Sequence, residues 1–188
     1  SNLNEGVTSE YLATTPSRLT ALIIFLRIKG LEGEALTYYG ENNFTDAKDL
    51  EWVVGRNYLA YAKDNPQLGW IGSNDGKFYP NNPIDAKAFY KVMLETLGYK
   101  QDLDFTYADT LKFAQSISLI SSASSMEKKT NFTVDDVAKA IYNTLNTKPK
   151  GKNKKLITLM TEEGILDEDK VVKAGFKLDI IPVEVLSF

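Results

Sequence analysis

Apolar residues along this chain of 188 residues recur at helical spacing in several separate stretches. Phe89, Val92, Met93 and Leu97 fall on one face of a helix entered after Asp85, and Val137, Ile141 and Leu145 do the same after Thr133. Three segments superpose without gaps: SRLTALIIFLRIKG from Ser17, DAKAFYKVMLETLG from Asp85 and TVDDVAKAIYNTLN from Thr133. Each opens with a short side-chain oxygen that accepts a free first-turn N–H, a cap that contributes about 1 kcal/mol over alanine. Thirteen positions later stand Gly30, Gly98 and Asn146, residue types that tolerate the left-handed conformation closing many helices. Ile84 and Phe132 sit just before their caps, at hydrophobic-staple spacing from Phe89 and Val137, and Pro16 with Ala21 is a weaker version.

A helix is also expected over Leu50–Lys63, with Trp52, Leu59 and Tyr61 toward a core and Pro66 and Gly69 ending it. Another is expected around Leu111, Phe113, Ala114 and Ile117, so the unit reads helix, loop, helix. The loop from Gly69 to Pro83, GWIGSNDGKFYPNNP, is dense in glycine, asparagine and proline and should turn more than once. In the third unit the serine-rich SSASSMEKKT takes its place. After residue 147, KPKGKNKK reads as a solvated linker or basic edge, and LITLMTEEGILDEDKVV suggests a further helix and turn. KLDIIPVEVLSF alternates like a strand, which Pro182 limits to an edge.

The second unit combines Phe44-Thr-Asp46, Trp52, Asn74-Asp-Gly-Lys-Phe-Tyr-Pro-Asn81 and Ile84 before a helix cap. In that order and spacing these residues resemble the surface-layer homology repeats of bacterial wall-attached proteins, over most of residues 15–147. The resemblance implies a mainly α fold, a pseudo-threefold repeat of helix-loop-helix units in a three-prong bundle, with a short C-terminal strand segment. The domain plan that follows is a repeat domain over 1–147, with an incomplete first repeat 1–31, a second 44–99 and a third 104–147. Residues 148–188 then form a basic linker, helix and strand leading towards a further domain, and part of the first repeat would lie upstream.

The function implied is a non-catalytic module, extracellular at the cell wall or surface layer, anchoring its protein by binding an acidic, pyruvylated secondary wall polysaccharide. The alternative is a structural or assembly module of a surface layer or adhesin whose glycan sites have decayed. In the family the second helix opens with Thr-Arg-Ala-Glu, and this chain keeps the arginine once, as Arg18, with Ala86 and Val134 at the matching places. The acidic capping position survives only as Asp136. An arginine at the positive end of a helix dipole is locally unfavourable, which a bound anion would explain; the plain alternative is a solvated charge. The expected ligand-binding residues are therefore Arg18, Asp46 and Trp52. Trp52 fits the core ahead of a sugar platform, although an indole at a groove edge can do both jobs, and Asp46 also fits a turn former or a cap of the following helix.

Composition narrows the chemistry. The chain has no histidine and no cysteine, so imidazole-bearing triads, thiolate nucleophiles and the usual zinc ligands cannot be assembled from it. No cofactor and no metal are expected, and SNDG at Ser73–Gly76 lacks the alternating ligands of a calcium loop. Glu162, Glu163, Asp167 and Asp169 could in principle supply a carboxylate pair, but nothing marks two of them as convergent on a pocket, so no enzyme is expected. With 22 basic and 25 acidic residues the net charge of −3 gives no reason to expect nucleic acid. Wall polysaccharide or other surface-layer proteins are the expected partners. No apolar run is long enough to span a bilayer, since Arg27 and Lys29 interrupt the run through Leu22 and Leu26.

Overall fold

The computed structural model describes residues 8–179, and among them the fold is helical, with ten α-helices, two 3₁₀ turns and no strand. In chain order the helices are α1 (Ser9–Leu12), α2 (Arg18–Ile28), α3 (Glu32–Leu36), α4 (Gly55–Asp64), α5 (Ala86–Thr96), α6 (Thr110–Ser116), α7 (Ala123–Glu127), α8 (Val134–Leu145), α9 (Leu156–Glu162) and α10 (Glu168–Lys173). The 3₁₀ turns, Ala47–Asp49 and Pro66–Leu68, flank α4.

The three superposed segments become α2, α5 and α8, and each starts where its cap residue stands. Ser17 Oγ accepts from Thr20 N at 3.1 Å, Asp85 Oδ1 from Ala88 N at 2.7 Å and Thr133 Oγ1 from Asp136 N at 3.3 Å. Asp136 returns the bond by accepting from Thr133 N, which completes a capping box on α8. At the other ends Gly30 and Gly98 adopt positive φ, as their type allows. Asn146 does not: it stays right-handed with φ −85°, because its backbone N–H and its side-chain amide both reach Tyr142 O within the helical turn.

The helix expected over Leu50–Lys63 starts later, at Gly55. Before it, the carbonyls of Lys48 and Leu50 accept from the Arg56 guanidinium, which ties down the end of the first 3₁₀ turn. A Cβ at Gly55 would lie 2.6 Å from Leu50 Cδ2 and 2.8 Å from Trp52 Cε3, so only glycine lets this turn pack down on the helix start. Trp52 consequently precedes the helix and is half exposed. Within SSASSMEKKT the chain forms α7, capped by Ser122, a helix the serine content disguises.

Helix α5 is central. It packs on α6, α7 and α8, while α2 packs on α3 and α4, and α8 on α1 and α9. A connected set of rings joins these layers: Phe25, Phe78 and Phe89 surround Trp70 at centroid distances of 6.0, 6.1 and 6.4 Å, and Phe132 links Phe89 to Tyr90. The tyrosine phenol is pushed up to about 12, first by burial and then by the nearby Asp136 charge.

Residues after 147, expected as linker, helix and strand, contribute Leu156, Ile157, Met160 and Val171 to the same core. Lys150 N donates to Leu97 O and Lys150 Nζ pairs with Asp104 at 2.6 Å, so the basic run lies against the bundle. Residues 180–188, most of the expected terminal strand, lie outside the described residues; 177–179 show no regular structure.

Candidate functional site

The loop between α4 and α5 carries the most specific sequence pattern, and the structure explains it as a lock. Asp46 accepts from Phe78 N at 2.9 Å and from Tyr79 N at 2.8 Å, and Thr45 N donates to Gly76 O. Phe44 packs on Phe78, ring centroids 5.1 Å apart. Phe44-Thr-Asp46 and Gly76-Lys-Phe78-Tyr-Pro80 thus close on one another, and Tyr79 is held at a φ of 59° that a non-glycine residue adopts at a cost. Pairing of both carboxylate oxygens with backbone N–H groups makes Asp46 a clasp for this loop.

The loop also covers the N-terminus of α2. Arg18 N donates to Asn82 O and Leu19 N to Pro80 O, while Thr20 N is taken by Ser17 Oγ. The first-turn N–H groups that an anion was expected to meet are therefore already satisfied by the chain. The Arg18 side chain turns along the loop: Nε donates to Phe78 O at 2.8 Å, and the guanidinium lies 5.1 Å from the centre of the Phe78 ring. Burial holds its pKa below the usual arginine value, opposed by the charges of Asp85, Tyr107 and Asp46. None of the three is in ion-pair contact, and its terminal amino groups make no hydrogen bond among the described residues.

Arg18 borders a groove of about 390 Å³ with Trp70, Ile71, Lys91, Gln101 and Tyr107. Lys91 is 6% exposed on the inner face of α5, where it pairs with Glu95 at 2.8 Å and donates to Gly69 O at 2.9 Å. The Trp70 indole N–H is buried without an acceptor among the described residues. Of the three residues expected to act together, only Arg18 lines the groove. Asp46 is turned to the loop backbone, and Trp52 lies half exposed beside Tyr58, 5.9 Å between ring centres, in a different part of the surface.

Sequence reasoning overlooked Trp70, Lys91, Gln101 and Tyr107. The Lys91–Glu95 spacing was a readable signal, because a lysine flanked by Tyr90 and Val92 on an apolar face needs a buried partner. The acidic residues near the C-terminal helices do not converge: Glu162 pairs with Lys154, and Asp167 caps α10 through Lys170 N. Asp75 in the SNDG turn accepts from Lys77 N and from the Tyr79 hydroxyl. Among the described residues no group of three or more acidic, histidine or cysteine side chains is placed to hold a metal ion. No helix among them is long and apolar enough to cross a membrane.

Among the described residues, fold and site together define a helical module with a clasped loop and a semi-buried groove bordered by Arg18. The sequence comparison places a relation on this module: residues 75–165, just under half of the chain, match the family model described as X-Prolyl dipeptidyl aminopeptidase PepX, N-terminal. The match runs from the clasped loop through α5 to α9. No curated protein and no solved structure matches the chain. This finding overturns the expected relation to surface-layer homology repeats, and with it the reading of a wall-polysaccharide anchor and of a surface-layer or adhesin assembly module. The physical reason for the misreading is visible in the clasp: Phe-x-Asp against Gly-x-Phe-x-Pro is a solution to closing a loop over a helix start, and the residues describe that closure rather than a wall ligand.

Proposed function

We propose that this chain is a non-catalytic helical module that accompanies an X-prolyl dipeptidyl aminopeptidase-type catalytic unit, as an N-terminal part does in the matched family. The observation that carries the reading is the match over residues 75–165 to a family described as the N-terminal region of such a peptidase. Chemistry supports assigning it the accessory part. Removal of a dipeptide by a serine or cysteine mechanism needs a nucleophile activated by a base, ordinarily histidine, and this sequence contains neither histidine nor cysteine. The module would contribute a rigid helical surface rather than reacting groups.

The test has two arms. Purified chain is assayed with alanyl-prolyl-p-nitroanilide, and antibody raised against it is used to precipitate the native protein from its cells of origin, with the same substrate applied to the precipitate. The expected result is no turnover by the purified chain and dipeptide-releasing activity in the precipitate. Turnover by the purified chain would contradict the accessory assignment, and a precipitate without activity would contradict the association with a peptidase.

A further inference from the structure

We propose that the groove between the start of α2, the loop at residues 69–74 and α5 binds an extended peptide segment through its carboxylate, with Arg18 as the partner of that carboxylate. The inference rests on the groove itself and stands whether or not a peptidase accompanies the chain.

The lining carries two cations, Arg18 and Lys91, and no carboxylate, although the chain as a whole has a net charge of −3. The two cations differ in availability. Lys91 is committed to Glu95 and to Gly69 O, so it builds the wall. Arg18 is oriented by a single bond from Nε to Phe78 O and by the ring beneath it, and its terminal amino groups have no protein partner among the described residues. The nearby carboxylates are occupied elsewhere: Asp46 accepts from Phe78 N and Tyr79 N, and Asp85 caps α5. A partly buried guanidinium, held in one orientation and making no ion pair at contact distance, is a preorganised fork for a carboxylate.

The second feature points to a peptide rather than to a small anion. Along Trp70, Ile71 and Gly72 no backbone N–H or C=O forms a hydrogen bond among the described residues, and this stretch belongs to neither helix nor turn. Trp70 is buried and Gly72 turns at a φ of 75°, so the groups open to a second chain are those of Ile71, onto which a peptide backbone can pair. Ile71, 56% exposed, offers an apolar contact at the rim, and the volume of about 390 Å³ lies within the range of small-ligand sites. A lone carboxylate would use Arg18 and leave the backbone and side chain of Ile71 uncovered.

Backbone amide NMR of the wild-type chain, titrated with four probes, tests this: acetyl-tetra-alanine with a free carboxyl, its C-terminal amide, acetyl-Ala-Asp-Ala-Ala-amide, and acetate. The expected result is saturable shifts at the amides of Trp70, Ile71 and Gly72 with a carboxylate-bearing peptide, at least about tenfold weaker binding of the uncharged peptide, and a comparable loss on Arg18→Gln with partial recovery in Arg18→Lys. Preference between the free-carboxyl and the aspartyl peptide identifies whether a chain terminus or an acidic side chain is taken. Acetate binding as well as the peptides, equal binding of the amide, or shifts confined to other residues would overturn the proposal. A urea midpoint for Arg18→Gln is measured alongside, and should that variant be unfolded, the probe ranking on the wild-type chain decides alone.

Discussion

Substituting Asp136 with asparagine keeps the shape of the side chain and removes a charge from the start of α8. In the native chain this carboxylate is 5% exposed; it accepts from Thr133 N at 3.0 Å and meets Lys129 Nζ at 2.5 Å. Hydrogen bonds to a charged group contribute about 1.5–3 kcal/mol against about 1 kcal/mol for a neutral pair, and an anion also favours a helix N-terminus. Lys129 is more than one-third exposed, so its share is reduced by solvent and falls at the lower end. The loss expected for Asp136→Asn is therefore about 2–3 kcal/mol, which for a chain of this size lowers Tm by roughly 4–12 °C.

The pH dependence makes the assignment specific. Burial works to raise the Asp136 pKa, but the bonds from Lys129 and Thr133 outweigh it and hold the carboxyl below its ordinary value. A group whose folded pKa is depressed adds stability that is fully present above its unfolded pKa, about 3.9, and lost as pH falls through the folded value. The gap between wild type and Asp136→Asn, measured by urea unfolding, should be widest near neutrality and close as the pH drops below about 4. A gap of the same size at both ends, or no gap at neutral pH, would refute the charge-assisted cap.

Three further outcomes are expected. Asp46→Ala leaves the Phe78 and Tyr79 amides without acceptors, so their hydrogen exchange should accelerate well beyond that of α5, with a stability loss of about 1–3 kcal/mol; unchanged exchange would remove the clasp. Lys91→Ala strands the Glu95 charge next to Gly69 and should cost about 3 kcal/mol or more in urea unfolding, most of it recovered in Lys91→Met with Glu95→Leu; equal damage in the double variant would mean that packing alone is at stake. Trp70→Phe removes an indole N–H that has no acceptor among the described residues, and should lie within about 1 kcal/mol of wild type despite the smaller ring, whereas Trp70→Ala should cost about 3–5 kcal/mol; similar losses for both would show that the N–H is satisfied.

The helices that sequence made legible are those whose ends are written in side chains. Ser17, Asp85 and Thr133 mark starts by a local bond between a side chain and an N–H three residues on, so no distant contact is needed to read them. The elements it obscured depend on tertiary contacts: α4 starts at Gly55 because Arg56 pins the preceding carbonyls, and α7 forms among serines whose local preference is for turns. The candidate site was harder still. Arg18 was found from its position in a motif, but its real partner, Phe78 O, is sixty residues away, and the loop carbonyls that satisfy the α2 N-terminus were invisible without the fold. Asp46 and Trp52 were read from the pattern of the second unit and Arg18 from the helix opening of the first, and only Arg18 lines the groove, since a pattern that specifies a clasp looks in sequence like one that specifies a ligand.

The most direct test of the account is the assay of prolyl dipeptide release in immunoprecipitates of the native protein, set beside the purified chain. Activity in the precipitate together with none from the purified chain is the result the account requires. Cleavage by the purified chain, or a precipitate free of prolyl dipeptidase activity, would contradict it.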